Sequence, residues 1–249
     1  IDCPGFATAD GSNASVAEFQ QDWYIYWNFL RPADGGKEED RVYVDVGASL
    51  PFDYSNTVVF DRCLGWRGVC VEPNPHLLSF LRTYRSCEVF PNCVSDKNIE
   101  DKPFSSRDGE IAFTADCLSL DEILGRAGLV GQRIDLLSVD IEHGELDALQ
   151  GLSLDRYDIR IILVEVGQGV RWLEVDTAIL PHGYAKVAVL GRDVVYAKLD
   201  ELAARASRWP FMREGKPVEL PLGWAGFHHR VLDDELKDEM RREREAFYR

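Results

Sequence analysis

No apolar run in this chain approaches the length that a bilayer-spanning helix requires, so a soluble protein with no membrane span is expected. No two cysteines form a CxxC pair, which removes a common zinc spacing, and no metal is expected. Positive charge is scarce. Against 43 Asp and Glu there are 28 Lys and Arg, a formal net charge of −15, and such a field repels polyanions. Nucleic acid is therefore not expected as a substrate. No basic cluster interleaved with aromatics precedes the C-terminal segment, where Arg241, Arg242 and Arg244 alternate with glutamates as on a solvated helix. Internal repeats and low-complexity tracts are missing too, which leaves an ordinary globular class.

What is present suffices for one core. The 249 residues are 45% apolar and 29% charged, which fits a single domain with extensions. The expected division is an N-terminal helical extension over 1–40, a core over 41–199 and a helical tail or lid over 200–249. Six cysteines are present. Cys70 interrupts an apolar strand and Cys63 lies in a helix expected to pack beside it, so the cysteines read as largely structural, with at least some of them buried. Asn13-Ala14-Ser15 matches a glycosylation acceptor, which matters only in a secretory lumen. The first residue is Ile, which leaves room for a removed signal or anchor, so cytoplasm and secretory lumen both stay open.

Along the chain, residues 14–30 predict an amphipathic helix and 31–40 a loop. Residues 41–47 and 68–72 are short β-branched runs with a helix over 55–64 between them, a βαβ unit. Asn74 and Pro75 suit the N-cap and first turn of a further helix, with Leu77, Leu78, Leu81 and Tyr84 on one face. A third strand is expected over 87–94, then a polar loop. Ser119-Leu-Asp-Glu122 has the spacing of a capping box. Strands at 134–139, 159–164, 184–190 and 194–198 alternate with helices at 144–150 and 170–180. This alternation predicts an α/β fold with a mainly parallel sheet covered by helices on both faces, whose ligands bind beyond the carboxyl ends of the strands.

The chemistry-bearing residues stand at those ends. Gly47 follows the first strand, where a missing side chain lets the backbone approach a ligand. Glu72 ends the second strand, where a carboxylate can accept both hydroxyls of a ribose. A dinucleotide fingerprint would need glycines where Ser49 and Phe52 stand, so a nicotinamide or flavin dinucleotide is disfavoured. An adenosine ligand without a pyrophosphate suits this pattern better.

Four segments carry a resemblance: Tyr43-Val-Asp-Val-Gly-Ala-Ser49 with Ser55-Asn-Thr57; Leu64-Gly-Trp-Arg-Gly-Val-Cys-Val-Glu-Pro-Asn-Pro75; Ser119-Leu-Asp-Glu122; and the run from Ile134 through Asp140-Ile-Glu142-His143-Gly144-Glu145 to Gly151. In order and spacing the chain resembles FkbM-family methyltransferases. The resemblance implies a seven-stranded Rossmann-like class I fold and S-adenosylmethionine as methyl donor, released as S-adenosylhomocysteine. It also implies O-methylation of a small molecule such as a sugar, glycoside or polyketide. Four positions depart from the family pattern: Ser49 and Pro51 replace an asparagine and a glycine, Ser138 replaces a lysine, and His143 stands in the glycine-bearing acidic motif. A non-catalytic domain of this fold that serves protein interaction is the alternative.

On this reading Asp45, Gly47, Ser49, Glu72, Asn74, Asn92 and Asp140 bind the cofactor. Asp140 is the first candidate to orient or deprotonate the acceptor hydroxyl. His143 is the second, since an imidazole titrates near neutrality, and Glu142 lies between them. Glu145 and Glu165 are expected to face the acceptor; alternatively Glu142 and Glu145 hold a divalent cation with Asp140 or, by default, serve the positive end of the helix that follows. Glu165-Val-Gly167 is the fourth strand-end segment, and His228-His229, beside Trp224 and Phe227, is a candidate lid segment.

Overall fold

The computed structural model of the chain describes residues 15–32, 40–105, 111–166, 172–205, 212–213 and 216–217. Asn13, Gly167, the 224–229 segment and the 241–244 arginines lie outside the described residues. In order, the elements are α1 (Gln21–Ile25), a π-helical turn (Tyr26–Leu30), β1 (Val42–Val46), α2 (Val58–Arg62), β2 (Arg67–Val71), α3 (Pro75–Tyr84), β3 (Glu88–Phe90) and β4 (Cys93–Val94). There follow β5 (Ile99–Ser105), β6 (Ile111–Leu118), α4 (Leu120–Arg126), β7 (Arg133–Val139), α5 (Glu145–Gln150), β8 (Asp158–Glu165), α6 (Trp172–Ile179), β9 (Tyr184–Leu190), β10 (Asp193–Lys198) and α7 (Leu199–Arg205).

Seven strands form the main sheet in the order β3-β2-β1-β7-β8-β10-β9. All pairs from β3 to β8 are parallel, and β10 runs antiparallel to both of its neighbours. The order reverses between β1 and β7, so a crevice opens beyond their carboxyl ends. The fold is Rossmann-like and doubly wound, with an antiparallel last pair of strands.

The strands read as apolar runs because both faces are covered. Val42, Val44 and Val46 of β1 face one core layer with Ile159, Ile162 and Val164 of β8, against α4, α5 and α6. Tyr43, Leu136, Ile161 and Leu163 face the other, against α2, α3 and the segment 25–30. Burying each such side chain contributes about 1.5–3 kcal/mol.

Asn74 caps α3 by accepting from the His76 N–H at 3.0 Å, and Ser119 caps α4 by accepting from the Glu122 N–H at 3.2 Å. Both caps agree with the sequence reading. Four features differ. The expected helix over 14–30 begins only at Gln21, because Gln20 has a φ of 60° and Ala17 bridges Tyr54, and its second half is π-helical. The strand expected over 87–94 is two: β3 belongs to the main sheet and β4 pairs with β6 in a second, three-stranded sheet. The expected polar loop after it is the β5–β6 hairpin of that sheet. The segment expected to be a helical tail holds, after α7, a short antiparallel pair, Met212–Arg213 with Lys216–Pro217.

Disulfides Cys70–Cys87 and Cys93–Cys117 tie β2 to the entry of β3 and β4 to β6, and Cys63 is disulfide-bonded as well. Cys70 is fully buried, as expected. Among the described residues no helix is long and apolar enough to cross a membrane.

Candidate active site

Three strand ends meet at the crevice, joined by backbone hydrogen bonds. The Gly47 N–H donates to the Val71 carbonyl at 2.9 Å, and the Asp140 N–H donates to the Val46 carbonyl at 2.9 Å. Gly47 has a φ of +87°, and a Cβ there would lie 1.8 Å from the Asp140 carbonyl oxygen. Only glycine allows this approach. Above the junction lies a cavity of about 400 Å³, walled by the ends of β1, β2 and β7, by the β3–β4 connection and by the β5–β6 hairpin. That volume is ordinary for a small-molecule site.

Glu72 is buried on the cavity wall. Its Oε2 accepts from the Ser49 N–H at 2.9 Å and its Oε1 from the Asn74 N–H at 2.8 Å. Two backbone donors thus fix a carboxylate whose four acceptor positions suit a pair of vicinal hydroxyls. Ser49, with a φ of 47°, and Asn74 line the cavity while holding Glu72. Asn92 lines it too and donates through Nδ2 to the Asp116 carbonyl at 3.0 Å.

Asp45 reaches the wall, but its carboxylate is already engaged. Thr57 Oγ1 donates to it at 2.5 Å, and Arg85 Nη1 lies 3.5 Å away. Arg85 is itself buried, with Nε 2.6 Å from Asp61 and Nη2 2.7 Å from Thr57 Oγ1. A buried cation bound to two carboxylates offsets its desolvation only if every donor is placed. This network holds the Ser55–Thr57 turn beneath the cavity. Sequence reading missed Arg85, which follows α3 with no local pattern to mark it.

The segment after β7 carries strain. Glu142 and His143, both exposed and both lining the cavity, have φ values of 56° and 90°. Residues other than glycine in this region cost on the order of 1–3 kcal/mol each, and such strain gathers at functional sites. His143 thus adopts a conformation that suits the glycine of the family motif. Glu145 braces the segment, its Oε1 accepting from the N–H groups of Ile141 (3.2 Å) and His143 (3.1 Å). It is 1% exposed and does not line the cavity. Its position suits the expectation of service to the start of α5.

Glu165 is likewise buried behind the wall, where Arg192 Nη1 lies 3.2 Å from its Oε1. At the end of β8 this side chain lies beside the carboxyl of Asp140 and raises its affinity for a proton. Asp140 lines the cavity, and its carboxyl is held well above the usual carboxylate range, first by burial, then by the Glu165 hydrogen bond and the charges of Glu165, Asp193 and Glu142.

Two further carboxyls nearby are raised. Burial pushes Asp22 to about 6, although Ser15 and the N–H groups of Trp23 and Val16 donate to it. Burial likewise pushes Asp193 to about 6 while Gln21 Nε2 donates to it at 2.5 Å. Their ordinary value is 3.8, so between about pH 4 and 6 the folded chain binds more protons than the unfolded one. Stability contributed by these groups is present at low pH and is lost as pH rises through about 6, by up to roughly 3 kcal/mol per group. The melting temperature is therefore expected to be several degrees higher at pH 5.5 than at pH 7.5. A flat or reversed profile in a thermal-melt series would contradict it.

Among the described residues no group of three or more His, Cys, Asp or Glu has the arrangement of a metal site. A family model described as Methyltransferase FkbM domain matches residues 45–185, more than half of the chain. No curated protein sequence matches significantly. Among solved structures the chain is similar to methyltransferase FkbM from Methylobacillus flagellatus KT, with 16% identity and a TM-score of 0.46 over 72% of this chain and 53% of that one. It is also similar to a human methyltransferase 10 domain containing protein, with 11% identity and a TM-score of 0.38 over 66% and 74% of the two chains. A third is a precorrin-6y C5,15-methyltransferase from Geobacter metallireducens GS-15, with 13% identity and a TM-score of 0.37 over 64% and 80%. The chain spans about half the length of the Methylobacillus protein. With the Gly47, Glu72 and Asp140 strand ends inside the matched segment, the chain belongs to the FkbM methyltransferase family.

Proposed function

We propose that the chain is an S-adenosylmethionine-dependent O-methyltransferase acting on a hydroxyl of a sugar, glycoside or polyketide-like small molecule. One observation carries this reading: an acid fixed by backbone donors, a glycine that tolerates no Cβ and a carboxyl of raised proton affinity border one cavity. These residues fit the cofactor. Glu72 would accept from the ribose hydroxyls, with Ser49 and Asn74 holding it. Gly47 would leave room along the chain of the amino acid moiety, and Asn92 would meet the base. When bound, S-adenosylmethionine supplies a methyl group activated by a sulfonium.

The remaining work falls to the protein. An alcohol is a poor nucleophile, and a positioned base contributes typically 10²–10⁴-fold. Asp140 bears that role best, because a carboxyl whose affinity for a proton is raised is a stronger base once it has lost its own. His143 and Glu142, on the strained segment beside it, would orient the acceptor. Holding acceptor and donor in line supplies further kcal/mol of the barrier.

The disulfides Cys70–Cys87 and Cys93–Cys117 support maturation in an oxidising compartment, where such bridges persist. The test of the function is a panel of glycosides and polyols incubated with methyl-labelled cofactor. Label is expected in at least one hydroxyl-bearing product, with S-adenosylhomocysteine formed in equal amount. A chain that binds cofactor yet labels no acceptor would speak for the interaction-domain alternative.

A further inference from the structure

The β5–β6 hairpin has no role in the reading above, yet its residues form part of the cavity wall. Phe104 and Phe113 stand opposite each other in the ladder, their rings stacked with centroids 4.8 Å apart and planes at 13°. Both are half-buried and both line the cavity, as does Lys102 on the same strand. The hairpin is anchored at its base, where Cys93 of β4, itself a cavity residue, is bonded to its register partner Cys117 of β6. An aromatic pair is thus held over the site by a covalent tether.

We infer that Phe104 and Phe113 form the wall against which the purine of the cofactor packs. The inference rests on the proposed cofactor and follows from strand order. In strand order the ends run Asp140 after β7, Gly47 after β1, Glu72 after β2, then Asn92 after β3. If Glu72 takes the ribose, the reacting end of the ligand lies toward Gly47 and Asp140 and its base toward β3. The hairpin rises from that β3 end, since β4 starts three residues after Phe90. The acceptor, which must meet the methyl group near Asp140, belongs to the opposite side. Flat apolar rings suit a purine, because base–aromatic stacking is strong and needs no hydrogen bond. A tethered hairpin also spares much of the cost of ordering a wall when the ligand arrives.

The test is calorimetric titration with S-adenosylhomocysteine, which needs no acceptor, on the whole chain. Phe104→Ala/Phe113→Ala is expected to bind it at least tenfold more weakly than wild type. Phe113→Leu, which keeps apolar bulk without an aromatic face, is expected to fall between the two and guards against a folding defect in the double variant. Adenosine as a second probe is expected to lose affinity in the same proportion, because it carries the purine without the amino acid moiety. Unchanged affinity for S-adenosylhomocysteine in the variants, with binding intact in wild type, would overturn the inference and assign the hairpin to the acceptor. No binding by wild type would overturn the cofactor reading and this inference together.

Discussion

Replacing Asp140 with asparagine is expected to lower turnover by about 10²-fold or more while leaving affinity for S-adenosylhomocysteine largely intact. The amide keeps the shape of the carboxyl and can still donate to Glu165, so the wall keeps its geometry. The Asp140 N–H remains bonded to the Val46 carbonyl, which holds the backbone in place. What disappears is the base. Burial, the Glu165 hydrogen bond and the charges of Glu165, Asp193 and Glu142 keep the Asp140 carboxyl protonated above the usual carboxylate range. In wild type the basic form is therefore scarce at low pH, and turnover should rise as pH increases and the Asp140 carboxyl loses its proton. Asp140→Asn should show a flatter profile. The two readouts separate a base from a positioning group, because loss of positioning alone would leave the slope unchanged. If His143→Ala instead carries the loss, the imidazole is the base. Full turnover in both variants would leave catalysis to alignment of the reactants.

Most of the sheet was legible in the sequence because its central strands are covered on both faces. Ile134–Val139 and Ile159–Val164 read as mainly apolar runs, interrupted only by Asp135, Ser138 and Arg160, and each lies within an observed strand. The caps at Asn74 and Ser119 were legible because their pattern is local. The hairpin was not, for the opposite reason. Its strands Ile99–Ser105 and Ile111–Leu118 are largely solvent-facing, and one holds a proline, so polarity marked them as a loop. The helix expected from residue 14 failed at its start because spacing does not reveal the left-handed turn at Gln20.

The candidate site divides along the same line. Gly47, Glu72 and Asp140 stand at strand ends, and the fold brings strand ends together. Side-chain direction is a tertiary matter. Nothing near Glu145 indicated that its carboxylate folds back onto the Ile141 and His143 N–H groups, nor near Glu165 that it meets Asp140 instead of the cavity. Arg85 was invisible for the same reason, since its partners Asp45 and Asp61 lie 40 and 24 residues away in sequence.

The central claim is that an adenosine-bearing cofactor is held at the strand ends with its ribose on Glu72. Glu72→Ala removes a carboxylate placed by the Ser49 and Asn74 N–H groups. A hydrogen bond to a charged group is worth about 1.5–3 kcal/mol, so two lost ribose contacts should weaken binding by at least tenfold. Glu72→Gln, which keeps the size and one acceptor, should lose less. The measurement is calorimetric titration of S-adenosylhomocysteine into wild type and Glu72→Ala, each shown to be folded by its thermal melt. One site per chain in wild type and at least tenfold weaker binding in the variant is the result expected. No heat of binding in wild type, or equal affinity in the two proteins, would contradict it.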